Sequence, residues 1–125
     1  MVGIVIVSHS HTLAAGVAEL ARGMGAEEVK VATAGGLDQP DHPLGTDAAL
    51  VIQAIDEVWS DDGVLVLMDL GSAVLSAEMA LDFLPDDRRA KVLLTDAPLA
   101  EGAVAAVVAA RVGEPLARVA EEARA

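Results

Sequence analysis

The chain opens with a short apolar run at residues 3–7 that changes abruptly to hydroxyls and imidazoles at Ser8, His9, Ser10 and His11. An apolar run rich in β-branched residues, without alternation, is typical of a strand buried on both faces. Strands of this kind belong to parallel sheets covered by helices. Because open α/β sheets bind ligands at the carboxyl ends of their strands, His9 is predicted to lie where a nucleophile meets its substrate.

Strand and helix patterns then alternate along the chain. Further strands are predicted at 29–34, 64–68 and 91–94, and helices at 12–24, 46–58 and 73–83. Residues 95–98 lead into an Ala-rich helix that runs to about Arg111, and a short last helix begins at Pro115. This alternation predicts an α/β fold with an open, mainly parallel sheet and helices on both faces. We expect about four strands, in the order 2-1-3-4, within a single domain that spans residues 1–125.

Several local features can be predicted from the same patterns. The apolar stripe of helix 12–24 consists of Leu13, Val17, Leu20, Ala21 and Met24. Thr46 is the expected cap of the next helix, Trp59 and Phe83 are expected to be packing residues, and residues 85–87 break the helical pattern.

Composition excludes several classes of function. Eight Lys and Arg against twenty Asp and Glu give a formal net charge of −12, which disfavours a nucleic-acid partner. The chain has no Cys, so disulfides, thiolate zinc sites and cysteine nucleophiles are ruled out. No apolar run approaches the roughly 18–20 residues of a membrane helix, and no basic segment precedes the first one. A cytoplasmic location is therefore expected.

Polar residues collect at the edge where the predicted strands end, because right-handed crossovers place every strand-to-helix junction there. None of the Lys and Arg residues lies in a predicted strand-to-helix loop. An anion at this edge must therefore be held by backbone N–H groups, helix N-termini and hydroxyls. The candidate phosphate-binding residues are Ser10, Gly35, Thr46 and Ser72, with Ser8 as a further hydroxyl. Such a lightly charged site suits a carrier that gives its phosphoryl group away better than a phosphatase or mutase.

His9 and Asp69 are the predicted catalytic pair. An appreciable fraction of histidine is neutral near pH 7, so one ring nitrogen is available to attack phosphorus. In a sheet of order 2-1-3-4, the first and third strands are neighbours, so Asp69 emerges beside His9. We expect the Asp69 carboxylate to orient Nδ1 of His9, which leaves Nε2 as the nucleophile.

Four motifs in this order resemble the phosphotransfer subunits of phosphoenolpyruvate-dependent dihydroxyacetone kinase, relatives of the mannose-type IIA domains of the sugar phosphotransferase system. They are residues 3–10, the loop 35–47, Met-Asp-Leu-Gly-Ser-Ala at 68–73 and Ala-Pro-Leu-Ala-Glu-Gly at 97–102. The resemblance implies that His9 is phosphorylated, that Asp69 orients it, and that the chain is a homodimer.

The resemblance also names the partners. It implies that phosphoryl groups arrive from the carrier protein HPr and pass to an ADP-containing kinase subunit, which phosphorylates dihydroxyacetone. No cofactor is expected on this chain, since ADP or ATP belongs to the partner subunit. The segment after Pro115 has no clear strand pattern, so a strand-swapped dimer is not expected.

Two other functions stay open. A receiver-like signalling domain would be phosphorylated on Asp69, although the first strand then lacks the acidic pair that binds magnesium. A non-catalytic ligand-binding or regulatory module is the second. His9 and His11 form only a weak metal signal without a third ligand, so no metal site is expected. We expect a solvated structural role for His11, and a surface position or partner contact for His42.

Overall fold

The computed structural model of this chain describes residues 1–25, 28–37, 39, 41, 43–69 and 71–125. For Gly25 and Ser72 it describes only the backbone. The strands are β1 (Gly3–Ser8), β2 (Val31–Gly35), β3 (Val64–Met68) and β4 (Val92–Thr95). The helices are α1 (His11–Gly25), α2 (Ala48–Glu57), α3 (Gly71–Asp82), α4 (Asp86–Arg89), α5 (Leu99–Arg111) and α6 (Leu116–Arg124). None of the helices in the described part is long and apolar enough to cross a membrane.

The four strands form one parallel sheet in the order β2-β1-β3-β4, which confirms the predicted topology. Strand β1 is central, and all its residues are buried. Ile4 and Ile6 pack into a core shared with α1, α5 and α6, whereas Val5 and Val7 pack into a second core with α2 and α3. The unbroken β-branched run is therefore explained by burial on both faces of the sheet.

Helix α1 buries only two residues of the predicted stripe, Val17 and Ala21. Its buried residues are Ala14, Val17, Ala18 and Ala21. Leu13, Leu20 and Met24 are instead 46%, 50% and 60% exposed, so their assignment to the buried stripe is wrong. The facing helix α5 is also lined by buried alanines, and small side chains on both helices let them approach closely. Periodicity alone favoured the larger side chains over this alanine face.

The cap of α2 is Asp47 and not Thr46. Asp47 has an extended backbone, and its Oδ1 accepts a hydrogen bond from the Ala49 N–H at 2.9 Å. Thr46 Oγ1 lies 2.6 Å from Ser76 Oγ, so this hydroxyl ties the loop before α2 to helix α3. Both residues are good caps, and the loop geometry decides between them.

The predicted packing role of Phe83 is wrong, because this side chain is 73% exposed just after α3. Trp59 does pack against the core, and the Arg88 guanidinium lies 4.4 Å from the centroid of its ring.

The predicted break at residues 85–87 contains the start of the short helix α4. A proline before a helix is compatible with helical structure, because its missing N–H is not needed there.

The last helix, α6, packs along α5. Its beginning lies near the amino ends of the strands, because Leu116 Cδ2 is 2.9 Å from the position that a Cβ added to Gly63, just before β3, would occupy. Its end lies near the start of α5, since the Ala123 carbonyl oxygen is 3.1 Å from a Cβ built on Gly102. Helix α6 therefore runs antiparallel to α5 and returns the chain to the carboxyl edge of the sheet.

Candidate active site

The short turn between β1 and α1 restricts the backbone of His9. Ser8 ends β1 and His11 begins α1, so only His9 and Ser10 connect the two elements. Ser10 caps the helix, because its Oγ accepts from the Leu13 N–H at 3.1 Å and its carbonyl from the Ala14 N–H at 3.0 Å. The start of the helix directly after a central strand fixes the backbone of His9.

Asp69 extends β3 by one residue alongside β1. Its backbone N–H donates to the Val7 carbonyl at 3.2 Å, which continues the parallel ladder beyond Met68. Its carboxylate is thereby placed at the end of β1. Oδ2 accepts from Ser8 Oγ at 2.7 Å and from the His9 backbone N–H at 3.0 Å, and Oδ1 lies 3.0 Å from Nδ1 of His9. The predicted adjacency of His9 and Asp69 is confirmed.

This contact determines which tautomer of His9 fits the site. An ionised carboxylate can only accept hydrogen bonds, so Nδ1 must carry the proton that it shares with Asp69. A neutral imidazole has one N–H, and its lone pair is then on Nε2. The side chains of His9 and Asp69 are 25% and 13% exposed. The geometry therefore matches the orienting role expected of Asp69, although the catalytic roles of both residues stay predictions.

The loop after β2 closes over the same turn. The N–H of Gly36 donates to the Ser8 carbonyl at 3.3 Å, and the N–H of Gly45 donates to the His9 carbonyl at 2.9 Å. A Cβ on Gly35 would lie 2.9 Å from the Ser10 carbonyl oxygen. Only glycine therefore allows β2 to end so close to the turn that carries His9.

The predicted phosphate-binding residues are distributed around this turn. Ser10 directly follows His9 and Gly35 packs against Ser10, while Thr46 directly follows Gly45, the residue that donates to the His9 carbonyl. Ser72 lies in the first turn of α3, but its side chain is outside the described residues. The phosphate-binding role of these four residues stays a prediction.

The other polar residues that the sequence singled out occupy different environments. Ser8, predicted among the anion-binding hydroxyls, is fully buried and donates its hydroxyl hydrogen to Asp69. His11 is exposed in the first turn of α1. His42 lies outside the described residues, so its expected surface position or partner contact stays a prediction. No group of three or more metal-ligating side chains occurs within the described ranges.

The return of α6 adds a basic residue to this edge that the loop sequences do not contain. Arg124 ends α6, and the neighbouring Ala123 lies against Gly102 at the start of α5. The end of α6 reaches this edge only through its packing along α5. The count of Lys and Arg in the loops therefore could not predict that Arg124 lies near this edge.

Comparison with known families gives the class to which this fold and site belong. The family model EIIA-man, described as the PTS system fructose IIA component, matches residues 3–120. The chain belongs to this EIIA-man family of the phosphotransferase system.

Its curated relatives share a name. Over 120 residues it is 52% identical to the Escherichia coli (strain K12) protein named PEP-dependent dihydroxyacetone kinase, phosphoryl donor subunit DhaM. That match covers 95% of this chain and 25% of the relative. The chain is also 37% identical over 108 residues to a Listeria innocua protein named PEP-dependent dihydroxyacetone kinase 2, phosphoryl donor subunit DhaM, covering 86% and 85% of the two chains. The chain thus spans about a quarter of the length of the first relative.

Solved structures support the fold. A crystal structure of the protein EF1359, described as of unknown function, is 38% identical with a TM-score of 0.85, and the match covers 99% of this chain and 94% of that one. A sigma-54 interaction domain protein from Enterococcus faecalis has a TM-score of 0.68 at 17% identity, covering 98% and 87%, and shows the fold alone.

Proposed function

We propose that this chain is a phosphocarrier that receives a phosphoryl group from HPr on Nε2 of His9 and passes it to the ADP-containing subunit of dihydroxyacetone kinase. The observation that carries this proposal is the contact between Nδ1 of His9 and Oδ1 of Asp69 at the end of the central strand. The name of its relatives, phosphoryl donor subunit, supports the carrier role and the final substrate.

The transfer needs no proton movement in this geometry. The lone pair of Nε2 attacks phosphorus, a bond from Nε2 to phosphorus forms, and the bond from phosphorus to the donor breaks with its electrons going to the donor. The phosphorylated ring then carries a proton on Nδ1 and positive charge. Oδ1 of Asp69 lies 3.0 Å from Nδ1 of His9, accepts that N–H and stabilises the charge. In the transfer to the next acceptor, an oxygen of that acceptor attacks phosphorus and the bond from Nε2 to phosphorus breaks, with its electrons returning to Nε2.

The charge distribution favours a carrier over a hydrolase. The strand-to-helix loops at this edge contain no Lys or Arg, so Arg124 at the end of α6 is the one cation that the described residues bring near this edge to stabilise phosphate during hydrolysis. A partner that docks here with a basic face would supply that charge only during transfer. The net charge of −12 supports such a partner.

The experiment that tests the function is a coupled assay of dihydroxyacetone phosphate formation. It contains phosphoenolpyruvate, enzyme I, HPr, this chain, and the ADP-containing and dihydroxyacetone-binding subunits of the kinase. We expect product only when both HPr and the wild-type chain are present, and none with His9→Ala. His11→Ala is the matched control, since it removes a nearby exposed imidazole. Product formation with His9→Ala would contradict the proposal.

Labelling distinguishes the competing functions. If hydroxylamine releases the label and Asp69→Asn abolishes it while His9→Ala does not, the chain is a receiver-like domain. If HPr does not label the chain under any condition, a regulatory module is favoured instead.

We also propose that the chain forms a homodimer through the side of the molecule that contains β4. Strand β4 is at the edge of the sheet, and its Leu93 is 40% exposed. Helix α3, which follows β3, carries exposed Leu75 and Met79, and Phe83 lies one residue beyond its end; these side chains are 67%, 54% and 73% exposed. An open edge strand can pair with its copy, and an exposed apolar stripe on the helix between strands β3 and β4 is the kind of surface that a dimer would bury.

Sedimentation analysis tests this dimer. We expect the wild type to sediment as a dimer and Phe83→Asp as a monomer, because an aspartate in an apolar interface would be desolvated without a partner. Leu20→Asp is the matched control, since Leu20 is an exposed leucine on α1. A monomeric wild type, or a dimer lost with Leu20→Asp and kept with Phe83→Asp, would contradict the proposed surface.

A further inference from the structure

Ser8 is a fully buried polar residue at the end of the central strand. Its Oγ accepts a hydrogen bond from the Ser10 backbone N–H at 3.0 Å. It also lies 2.7 Å from Oδ2 of Asp69. A hydroxyl has a single hydrogen, and the Ser10 N–H can only donate, so the hydroxyl hydrogen of Ser8 is directed at Asp69.

The position of Oδ2 is therefore fixed from two directions. It accepts from the Ser8 hydroxyl and from the His9 backbone N–H, and both donors belong to consecutive residues of the same strand end. With Oδ2 held in this way, rotation of the carboxylate is restricted and Oδ1 faces Nδ1 of His9. Loss of the Ser8 hydroxyl would remove one of these two donors and keep the other, the His9 backbone N–H.

We propose that Ser8 is a positioning residue that fixes the Asp69 carboxylate and, through it, the Nδ1–H tautomer of His9. The reaction that benefits is the phosphorylation of His9, so this part rests on the proposed function. The effect on the tautomer concerns the unphosphorylated protein and does not depend on any partner.

Thr95 provides a matched control elsewhere in the sheet. It ends β4, is 4% exposed, and its Oγ1 accepts from the Ala97 N–H at 3.2 Å, which is the same two-residue pattern as Ser8 and Ser10. Within the described residues, however, the Thr95 hydroxyl has no hydrogen bond to a carboxylate. Thr95→Val removes the hydroxyl with little change in shape, so it reproduces the loss of the turn contact without touching Asp69.

The test measures the His9 tautomer by ¹⁵N NMR in the unphosphorylated protein at about pH 8, where an ordinary histidine is neutral. We expect the wild type and Thr95→Val to carry the proton on Nδ1, and Ser8→Ala to shift protonation toward Nε2. Ser8→Cys keeps a side chain of similar shape with a weak donor, and we expect it to shift the tautomer in the same direction even if Ser8→Ala does not fold. The rate of His9 phosphorylation should fall about 10- to 100-fold in Ser8→Ala and stay unchanged in Thr95→Val.

Two results would overturn the inference. One is a wild-type tautomer in folded Ser8→Ala or Ser8→Cys, even if the melting temperature falls, because Ser8 would then have only a structural role. The other is an equal tautomer shift in Thr95→Val. Failure of the proposed function would look different, since HPr would then fail to label the wild type while the tautomer shift in Ser8→Ala remained.

Discussion

Replacing Asp69 by Asn changes the site in a way that the hydrogen bonds determine. The His9 backbone N–H and the Ser8 hydroxyl both approach Oδ2, so the amide oxygen of Asn is required at that position. The amide NH₂ then occupies the position of Oδ1, 3.0 Å from Nδ1 of His9. Because this NH₂ group can only donate, Nδ1 becomes the acceptor and the proton moves to Nε2. The proposed nucleophile is then protonated.

The size of the effect follows from the interaction that is lost. A hydrogen bond to a charged group contributes about 1.5–3 kcal/mol, and each 1.36 kcal/mol corresponds to a tenfold change in rate. Asp69→Asn should therefore slow phosphorylation of His9 by about 10- to 150-fold. Folding should change little, because Asn has nearly the same shape and keeps the contacts at Oδ2.

The assay is the initial rate of labelling by HPr phosphorylated with radiolabelled phosphoenolpyruvate, at several HPr concentrations. Asp96→Asn is the control, since this exposed aspartate follows β4 at the same edge and its replacement changes the net charge equally. We expect Asp96→Asn to label at nearly the wild-type rate. Wild-type labelling of Asp69→Asn, or an equal loss in Asp96→Asn, would refute the orienting role of Asp69.

Two further predictions concern stability and partner approach. Gly35→Ala should lower the free energy of unfolding in urea by about 1–3 kcal/mol, because the new Cβ would clash with the backbone of Ser10 and His11. Gly16→Ala in α1 should raise it by about 0.5–1 kcal/mol, because no atom lies within 4 Å of the added Cβ. Equal effects of the two substitutions would show that the tight approach at Gly35 is unimportant. Phosphorylation by HPr should slow about tenfold or more as salt rises from low to high ionic strength, because the net charge of −12 attracts a basic partner face; a rate insensitive to salt would exclude such steering.

The sequence was sufficient to predict the sheet and the central pair of the site. Apolar strand runs and their alternation with helices predict the strand order, and that order places Asp69 beside His9. Both predictions depend on features that are local in sequence or follow from the topology of parallel sheets.

Features that depend on close packing were not predictable in the same way. The alanine face of α1 is buried because α5 is also lined by small residues, which periodicity cannot reveal. The choice of Asp47 over Thr46 as a cap, and the direction of the Ser8 hydroxyl, depend on distances between neighbouring segments. An exposed Phe83 is explained if a second copy of the chain covers it. The sequence of one chain does not distinguish a residue that packs in its own core from one that packs against a partner.

The most direct test of the central claim is to locate the phosphoryl group after incubation with radiolabelled phosphoenolpyruvate, enzyme I and HPr. We predict a label that is labile in acid, stable in mild base, attached to His9 in the digested peptide, and absent from His9→Ala. A label that persists in His9→Ala, or that hydroxylamine removes, would contradict the account.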